Sequence, residues 1–142
     1  MMLLSNHLCF KAYAVSRLIT GLYKPYLEKL SITYPQYLVM LVLWENGKIS
    51  IGRIGEYLHL DNGTLTPLLK RMEKNGLLNR IRSTDDERVV LISLTEKGAA
   101  LQHKARSIPE AVQACIDLDE DRKKQLMAIL DDLLLTNSDS KI

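Results

Sequence analysis

The sequence predicts a mainly α-helical fold with one small β-hairpin, arranged as a helix-turn-helix with a hairpin wing and flanked by helices at both ends. Three observations carry that prediction. Leu65, Leu68, Leu69, Met72 and Leu77 recur at mostly three- and four-residue steps while Lys70, Arg71 and Lys74 look away, the pattern of an amphipathic helix with a basic outer face. A shorter apolar period, Ile51, Ile54 and Leu58, precedes it with His59 and Leu60 between, so two helices meet across a tight turn. Leu77 to Arg82 and Val89 to Leu94 are short, partly alternating runs around Ser83-Thr84-Asp85-Asp86-Glu87, which reads as a hairpin with a charged tip.

Taken in order, Asn6 to Leu30 carries Leu8, Ala12, Val15, Leu18, Ile19, Leu22 and Tyr26 at helical spacing, a long helix with a disturbance expected near Gly21 or Pro25. Ser5 or Asn6 is the expected cap, which puts Cys9 in the first turn, beside unpaired amides and the positive end of the helix dipole, a setting that favours a thiolate. Thr33 caps the next helix, with Pro35 in its first turn, and the apolar run Tyr37 to Trp44 stops at Asn46-Gly47. Ser50 caps the first helix of the motif. Asp61 caps the second, which spans roughly Asn62 to Asn75 and ends at Gly76. After the hairpin, Thr95 caps a helix through Ala99, Leu101 and Ala105 that Pro109 kinks or interrupts before Cys115. A last helix follows Asp119, with Leu126, Ile129, Leu130, Leu133 and Leu134 on one face, and the polar Asn137 to Ile142 reads as a frayed tail.

At 142 residues, with 46% hydrophobic and 25% charged side chains, the composition is that of one soluble globular domain, 1–142. Within it a winged core is expected at about 45–95, with dimerisation helices at about 5–30 and 96–136. No apolar run approaches the roughly 20 residues that a membrane helix needs, and Met1 to Leu4 is too short and lacks the basic start of a signal peptide, so a cytoplasmic chain with no membrane partner is expected. Two cysteines in that compartment are expected to be free thiols. The formal charge of +2 is too small to indicate nucleic acid by itself. Clustering is the better sign: Lys70, Arg71, Lys74, Arg80, Arg82 and Arg88 fall between residues 70 and 88. No nucleophile, base and orienting acid form a catalytic pattern, and no glycine-rich phosphate loop occurs, so neither an enzyme nor a bound cofactor is expected. His7, His59 and His103 are scattered and no Cys-x-x-Cys occurs, so no metal site is expected.

A helix-turn-helix can set its second helix in the major groove of double-stranded DNA, and the hairpin bearing Arg80, Arg82 and Arg88 can reach the adjacent minor groove. The apolar first and last helices lie outside such a core and must bury their stripes elsewhere, for which a second copy of the chain is the natural partner. A twofold homodimer would set two recognition helices about 34 to 36 Å apart, matching a palindromic operator. For Cys9 the residues alone favour a small core side chain that happens to be a thiol.

Asp86-x-Arg88 followed by Leu94-Thr95-x-x-Gly98 resembles the signature of MarR-family winged-helix transcription regulators, over nearly the whole chain. Leu8-Cys9-Phe10, Thr33-Tyr34-Pro35-Gln36-Tyr37-Leu38-Val39-Met40 and Leu60-Asp61-x-Gly63-Thr64-Leu65-Thr66-Pro67-Leu68-Leu69-Lys70 resemble more narrowly the organic-hydroperoxide-sensing repressors called OhrR. That resemblance implies a repressor whose N-terminal cysteine is oxidised by an organic hydroperoxide while two tyrosine hydroxyls from neighbouring helices bond its thiolate; the matching positions are Cys9, Tyr23 and Tyr34. Tyr13 stands one turn beyond the cysteine, and Tyr26, Tyr37 and Tyr57 are expected to pack. Leu8, Phe10, Leu38 and Met40 would give the thiol apolar surroundings. By the same resemblance Asp61, Thr64, Thr66 and Pro67 meet base edges, while Lys70, Arg71 and Lys74 hold phosphates. Arg88 enters the minor groove, steadied by Asp86 and accompanied by Arg82.

The family has a one-cysteine type, capped by a small thiol, and a two-cysteine type closed by a distal cysteine. Cys115 stands about where the second keeps its resolving residue, so the resemblance implies a Cys9 to Cys115 disulfide between subunits; an inert buried thiol is the alternative. His7, Lys11 and Gly52 depart from the pattern without touching these positions. Two rivals stay open: a MarR-type repressor that answers a small phenolic or other ligand, and a thiol peroxidase using Cys9 and Cys115.

Overall fold

The structure is a computed structural model that describes residues 3–136. A short 3-10 turn at Leu4–Asn6 leads into α1 (Leu8–Glu28), then α2 (Tyr34–Asn46), β1 (Ile49–Ser50), α3 (Ile51–Leu58) and α4 (Asn62–Lys74). The chain continues with β2 (Leu78–Arg82), β3 (Val90–Leu94), α5 (Glu96–Ala105), α6 (Ile108–Gln113) and α7 (Glu120–Thr136). The architecture is helical with one small antiparallel sheet, the winged helix-turn-helix that the pattern predicts. The expected tail, Asn137 to Ile142, lies outside the described residues. Among those described, no helix is long and apolar enough to cross a membrane.

Local chemistry explains most boundaries. Thr33 and Gln36 form a reciprocal capping box, in which Gln36 N–H donates to Thr33 Oγ1 at 3.4 Å and Thr33 N–H to Gln36 Oε1 at 3.0 Å. Gly47, at φ 69°, ends α2. Pro109 stands in the first turn of α6, and the break from α5 falls just before it, at Arg106 and Ser107. Asp119 accepts from Arg122 N–H at 2.8 Å and starts α7.

Two expectations about α1 need correction. The cap is His7, with no side-chain bond, because Ser5 and Asn6 are wound into the 3-10 turn and cannot reach the first-turn amides. The helix also runs unbroken through both suspected breakers. The carbonyl that Pro25 leaves without a donor belongs to Gly21, four residues back and exposed, so water can serve it.

The sheet order is β1-β3-β2, with Ile49 opposite Ile92 and Arg80 also opposite Ile92. Strand β1 has two residues, too few to show a period in sequence. One core draws Leu27 and Ile32, then Tyr37, Met40 and Leu43 of α2, onto Ile54, Leu65, Leu69 and Met72 of the motif and Leu78 and Ile92 of the sheet. Ala105, Ile108 and Val112 close it from α5 and α6, so it extends on both sides of 45–95. The outer half of α1 contributes nothing to this core: Leu8, Phe10, Tyr13, Val15 and Leu18 are all exposed, and α7 has no buried residue among those described.

Candidate nucleic-acid interface and thiol site

The reading head is built by tight backbone approaches. His59 adopts the left-handed conformation at φ 53°, which lets Leu60 N–H turn back to Gly55 O at 3.0 Å. A Cβ on Gly55 would lie 2.6 Å from Leu60 O, so the turn between α3 and α4 requires glycine there. Asp61 then caps α4 by accepting from Thr64 N–H at 2.6 Å, a bond that holds its carboxyl below the usual carboxylate range. Thr64 and Pro67 are exposed on the first turns of α4 and Thr66 is half-buried, while Lys70, Arg71 and Lys74 project from the opposite side to buried Leu65, Leu68, Leu69 and Met72. Among the described residues no carboxylate pairs with these three cations.

The wing springs from a knot that accounts for the Leu94-Thr95-x-x-Gly98 spacing. Thr95 Oγ1 donates to Gly76 O at 2.6 Å, just beyond α4, and accepts from Gly98 N–H at 3.0 Å to cap α5. A Cβ on Gly98 would fall 2.1 Å from Leu77 O. At the tip, Ser83 N–H donates to Val89 O at 2.8 Å and Arg82 Nη1 to Glu87 O at 3.3 Å. Asp86 accepts three bonds from Arg88, from the backbone N–H at 3.0 Å, Nε at 3.1 Å and Nη2 at 3.3 Å, which lower its carboxyl below the ordinary range. The Arg88 side chain remains 91% exposed, so it is aimed and accessible at once. Arg88 faces α4 across a cleft of about 350 Å³ that Thr66, Asn62, Ser50 and Gly52 also line. Asn62, Ser50 and Gly52 were not expected at this face, since in sequence they show just cap and start chemistry. Arg80 is not a free cation of the wing: its side chain is 21% exposed and sits against Glu73 of α4.

The sulfur chemistry is divided between two places. Cys9 is exposed in the first turn of α1 and Cys115 is exposed after α6, where its thiol donates to Ala111 O at 3.4 Å. Exposure removes the readings of Cys9 as a core residue and of Cys115 as a buried thiol. Tyr23 and Tyr34 pack with ring centroids 5.0 Å apart, and buried Tyr37 lies 5.6 Å from Tyr23. Burial raises all three hydroxyls above their ordinary value, Tyr37 to about 12, so they stand as neutral donors. Met40, expected near Cys9, is fully buried in the core, because the period of α2 turns it inward.

Tyr23 is fourteen residues beyond Cys9 on the same helix, about 21 Å at 1.5 Å per residue. The chain therefore brings Tyr23 and Tyr34 together and leaves its own Cys9 far from them. Tyr23 lines a cleft of about 470 Å³ with Ile19, Ala114, Ile116, Met127 and Leu130, so Cys115 adjoins the tyrosine end rather than the cysteine end of α1.

A family model described as "Transcriptional regulator SarA/Rot" matches residues 21–105. The organic hydroperoxide resistance transcriptional regulator of Bacillus subtilis (strain 168) is 53% identical over 135 residues, covering 95% of this chain and 92% of the relative. Among solved structures, reduced AbfR bound to DNA superposes with a TM-score of 0.79 at 38% identity, over 95% of this chain and 92% of that one. Disulfide-formed AbfR, the Staphylococcus epidermidis protein, gives 0.66 at 40% identity over 92% of each chain. With its helix-turn-helix, wing and aimed wing arginine, this chain belongs to the MarR-type winged-helix transcription regulators, a non-enzymatic class, within the SarA/Rot family and alongside the organic hydroperoxide resistance regulators.

Proposed function

We propose that the chain acts as a homodimeric repressor that reads a palindromic operator when reduced and releases it when an organic hydroperoxide oxidises Cys9. On this reading α4 lies in the major groove with Asp61, Thr64, Thr66 and Pro67 at base edges and Lys70, Arg71 and Lys74 on phosphates. Arg88 enters the minor groove, held by Asp86 and flanked by Arg82. A regulator of this kind works in the cytoplasm, where the DNA is.

The observation that carries the sensing half is the separation along α1. Tyr23, with Tyr34 packed on it, shares a cleft with the segment around Cys115, while Cys9 of the same chain is about 21 Å away along the helix. A second copy, running antiparallel along α1, brings its Cys9 to this cleft and covers the exposed Leu8, Phe10, Val15 and Leu18. Two tyrosyl O–H donors then stabilise the charged sulfur.

The thiolate attacks one peroxide oxygen, the O–O bond breaks, and the alcohol leaves after taking a proton; sulfur is oxidised to the sulfenic acid and the peroxide is reduced. The Cys115 sulfur then attacks that sulfur, the S–S bond forms as the S–O bond breaks, and the departing oxygen takes the Cys115 thiol proton and leaves as water. Ile19, which lines the cleft with Ala114 and Ile116, is about 15 Å along α1 from Cys9, whereas a disulfide needs Cα atoms within about 7 Å. This supports the partner's Cys115 as the resolving residue.

The test is binding to a duplex from the chain's own upstream region before and after about one equivalent of cumene hydroperoxide, with Cys9→Ser and Cys115→Ser alongside. Release of wild type with retention by Cys9→Ser supports the switch, and a reducible dimer band lost in either variant supports the intersubunit bond. Release by Cys115→Ser without that band assigns resolution to a small thiol. A second cleft of about 690 Å³, lined by Tyr37, Leu41, Trp44, His103 and Arg106, favours the small-ligand alternative, and a Cys9→Ser protein that still released DNA on adding a phenolic acid would transfer regulation there.

A further inference from the structure

We infer that Glu73 is a positioning residue for DNA reading: through Arg80 it clamps the wing to the recognition helix and so sets the span between the major-groove residues of α4 and Arg88 in the minor groove. The inference rests on the reading of α4 and the wing given above.

Glu73 is the one carboxylate within α4, and it sits among Lys70, Arg71 and Lys74 on the helix meant for phosphates. A solvated acidic residue there weakens DNA binding by simple repulsion. This one is engaged with the wing. Strand β2 lies at the edge of the sheet, where some of its amides have no strand partner, and Arg80 N–H donates to Glu73 Oε1 at 3.1 Å. The second carboxylate oxygen faces Arg80 Nη1 at 3.8 Å, with the arginine side chain 21% exposed and the glutamate 41%. Among the described residues, the Nε of Arg80 is buried and without a hydrogen-bond partner. Among the described residues Glu73 is the carboxylate that holds both the Arg80 backbone N–H and its guanidinium, so without it the strand edge loses its tie to α4 and β2 is free to shift. Arg80 is two residues before the end of β2, and the tip with Asp86 and Arg88 follows directly. Displacement at Arg80 is therefore passed to Arg88.

Two mechanisms thus give opposite signs for one substitution. If Glu73 only repels phosphate, Glu73→Ala tightens binding to every duplex. If it clamps the wing, Glu73→Ala weakens binding to the upstream duplex by about tenfold, part of what an intact wing contact contributes, while affinity for an unrelated duplex stays level or rises. Glu73→Gln, which keeps an acceptor for Arg80 N–H, should fall between the two. The loss should vanish in an Arg88→Ala background, because the clamp acts through that residue. Thermal melting of each variant separates mispositioning from unfolding. Parallel tightening on both duplexes overturns the clamp, as does a loss that persists undiminished in Arg88→Ala. If Arg88→Ala by itself leaves binding to the upstream duplex intact, the underlying reading of the wing falls instead.

Discussion

Mixing two impaired variants tests whether the sensing site is assembled from two chains. One variant is Cys9→Ser, which keeps both tyrosines; the other is the double variant Tyr23→Phe, Tyr34→Phe, which keeps the thiol. Phenylalanine retains the ring packing, 5.0 Å between centroids, and removes only the hydroxyls. Hydrogen bonds to a charged group are worth about 1.5 to 3 kcal/mol each, so losing two, with water replacing part of them, should slow thiolate attack on peroxide at least about tenfold. In a randomly exchanged equimolar mixture, about half the chains sit in mixed dimers, and a mixed dimer has one complete site if the tyrosines serve the partner's thiol. About half of the remaining Cys9 should therefore recover fast oxidation, followed as loss of free thiol under cumene hydroperoxide. If the tyrosines served the thiol of their own chain, no mixture would contain a complete site. Absence of recovery after verified subunit exchange would refute the derivation from the 21 Å separation along α1.

Further outcomes follow from the same geometry. Arg88→Ala should cost about 1 to 3 kcal/mol on the upstream duplex and little on unrelated DNA, whereas Lys74→Ala should weaken both alike and reduce the salt slope by about 1, as titrations at several salt concentrations would show. Gly98→Ala puts a methyl 2.1 Å from Leu77 O, a backbone atom that cannot step aside, and should destabilise the fold by about 3 kcal/mol or more in urea; Gly21→Ala, with nothing within 4 Å, should gain up to about 1 kcal/mol. The raised tyrosines predict a base-labile fold. The unfolded chain loses their protons near pH 10 and the folded chain later, Tyr37 at about 12, so between these values the unfolded state binds fewer protons. The stability contributed is full below about pH 10 and falls as pH rises toward 12, to be read as the urea midpoint beside tyrosinate absorbance.

The parts of the fold governed by local chemistry were legible in sequence. Thr33, Ser50, Asp61, Thr95 and Asp119 cap the helices that they head, because a short polar side chain before an apolar period has few other uses. The α1 cap is not fixed by sequence, because Ser5 and Asn6 are equally good in a 3-10 turn, and nothing local decides between the two. Strand β1 escaped because its two residues acquire their identity from Ile92 and Leu91, more than forty residues on. At the site, the pairing of Asp86 with Arg88 was implied by the resemblance of Asp86-x-Arg88 to a family signature, whereas the withdrawal of Arg80 depends on Glu73 reaching a strand edge across a helix end. The same limit governs the thiol. Sequence places Cys9 and Tyr23 on one helix, yet only the structure brings Tyr23 and Tyr34 together, ring against ring, at a distance from the cysteine of their own chain.

A switch of this kind needs the tyrosine end to be mechanically joined to the reading head, and the core contains such a connection. Tyr37 lies 6.3 Å from Tyr34 and meets Trp44 edge-on at 6.3 Å. Trp44 Nε1–H donates to Gly98 O at 3.1 Å, and Gly98 is bonded through Thr95 to Gly76 O at the end of α4. Each link is either close-packed aromatic surface or a hydrogen bond with little slack, so a displacement at Tyr34 has a short path to the base of the wing. Trp44→Phe keeps the ring and removes the bond to Gly98. Reduced protein should then bind the upstream duplex nearly as before, because neither α4 nor the wing tip is altered. The loss of affinity on oxidation should shrink, since a typical coupling of about 1 to 3 kcal/mol is carried in part through that bond. Binding isotherms of the reduced and oxidised variant measure this directly. An oxidation response equal to that of wild type would show that the dimer interface moves the reading heads as rigid bodies, without any signal passing through α2.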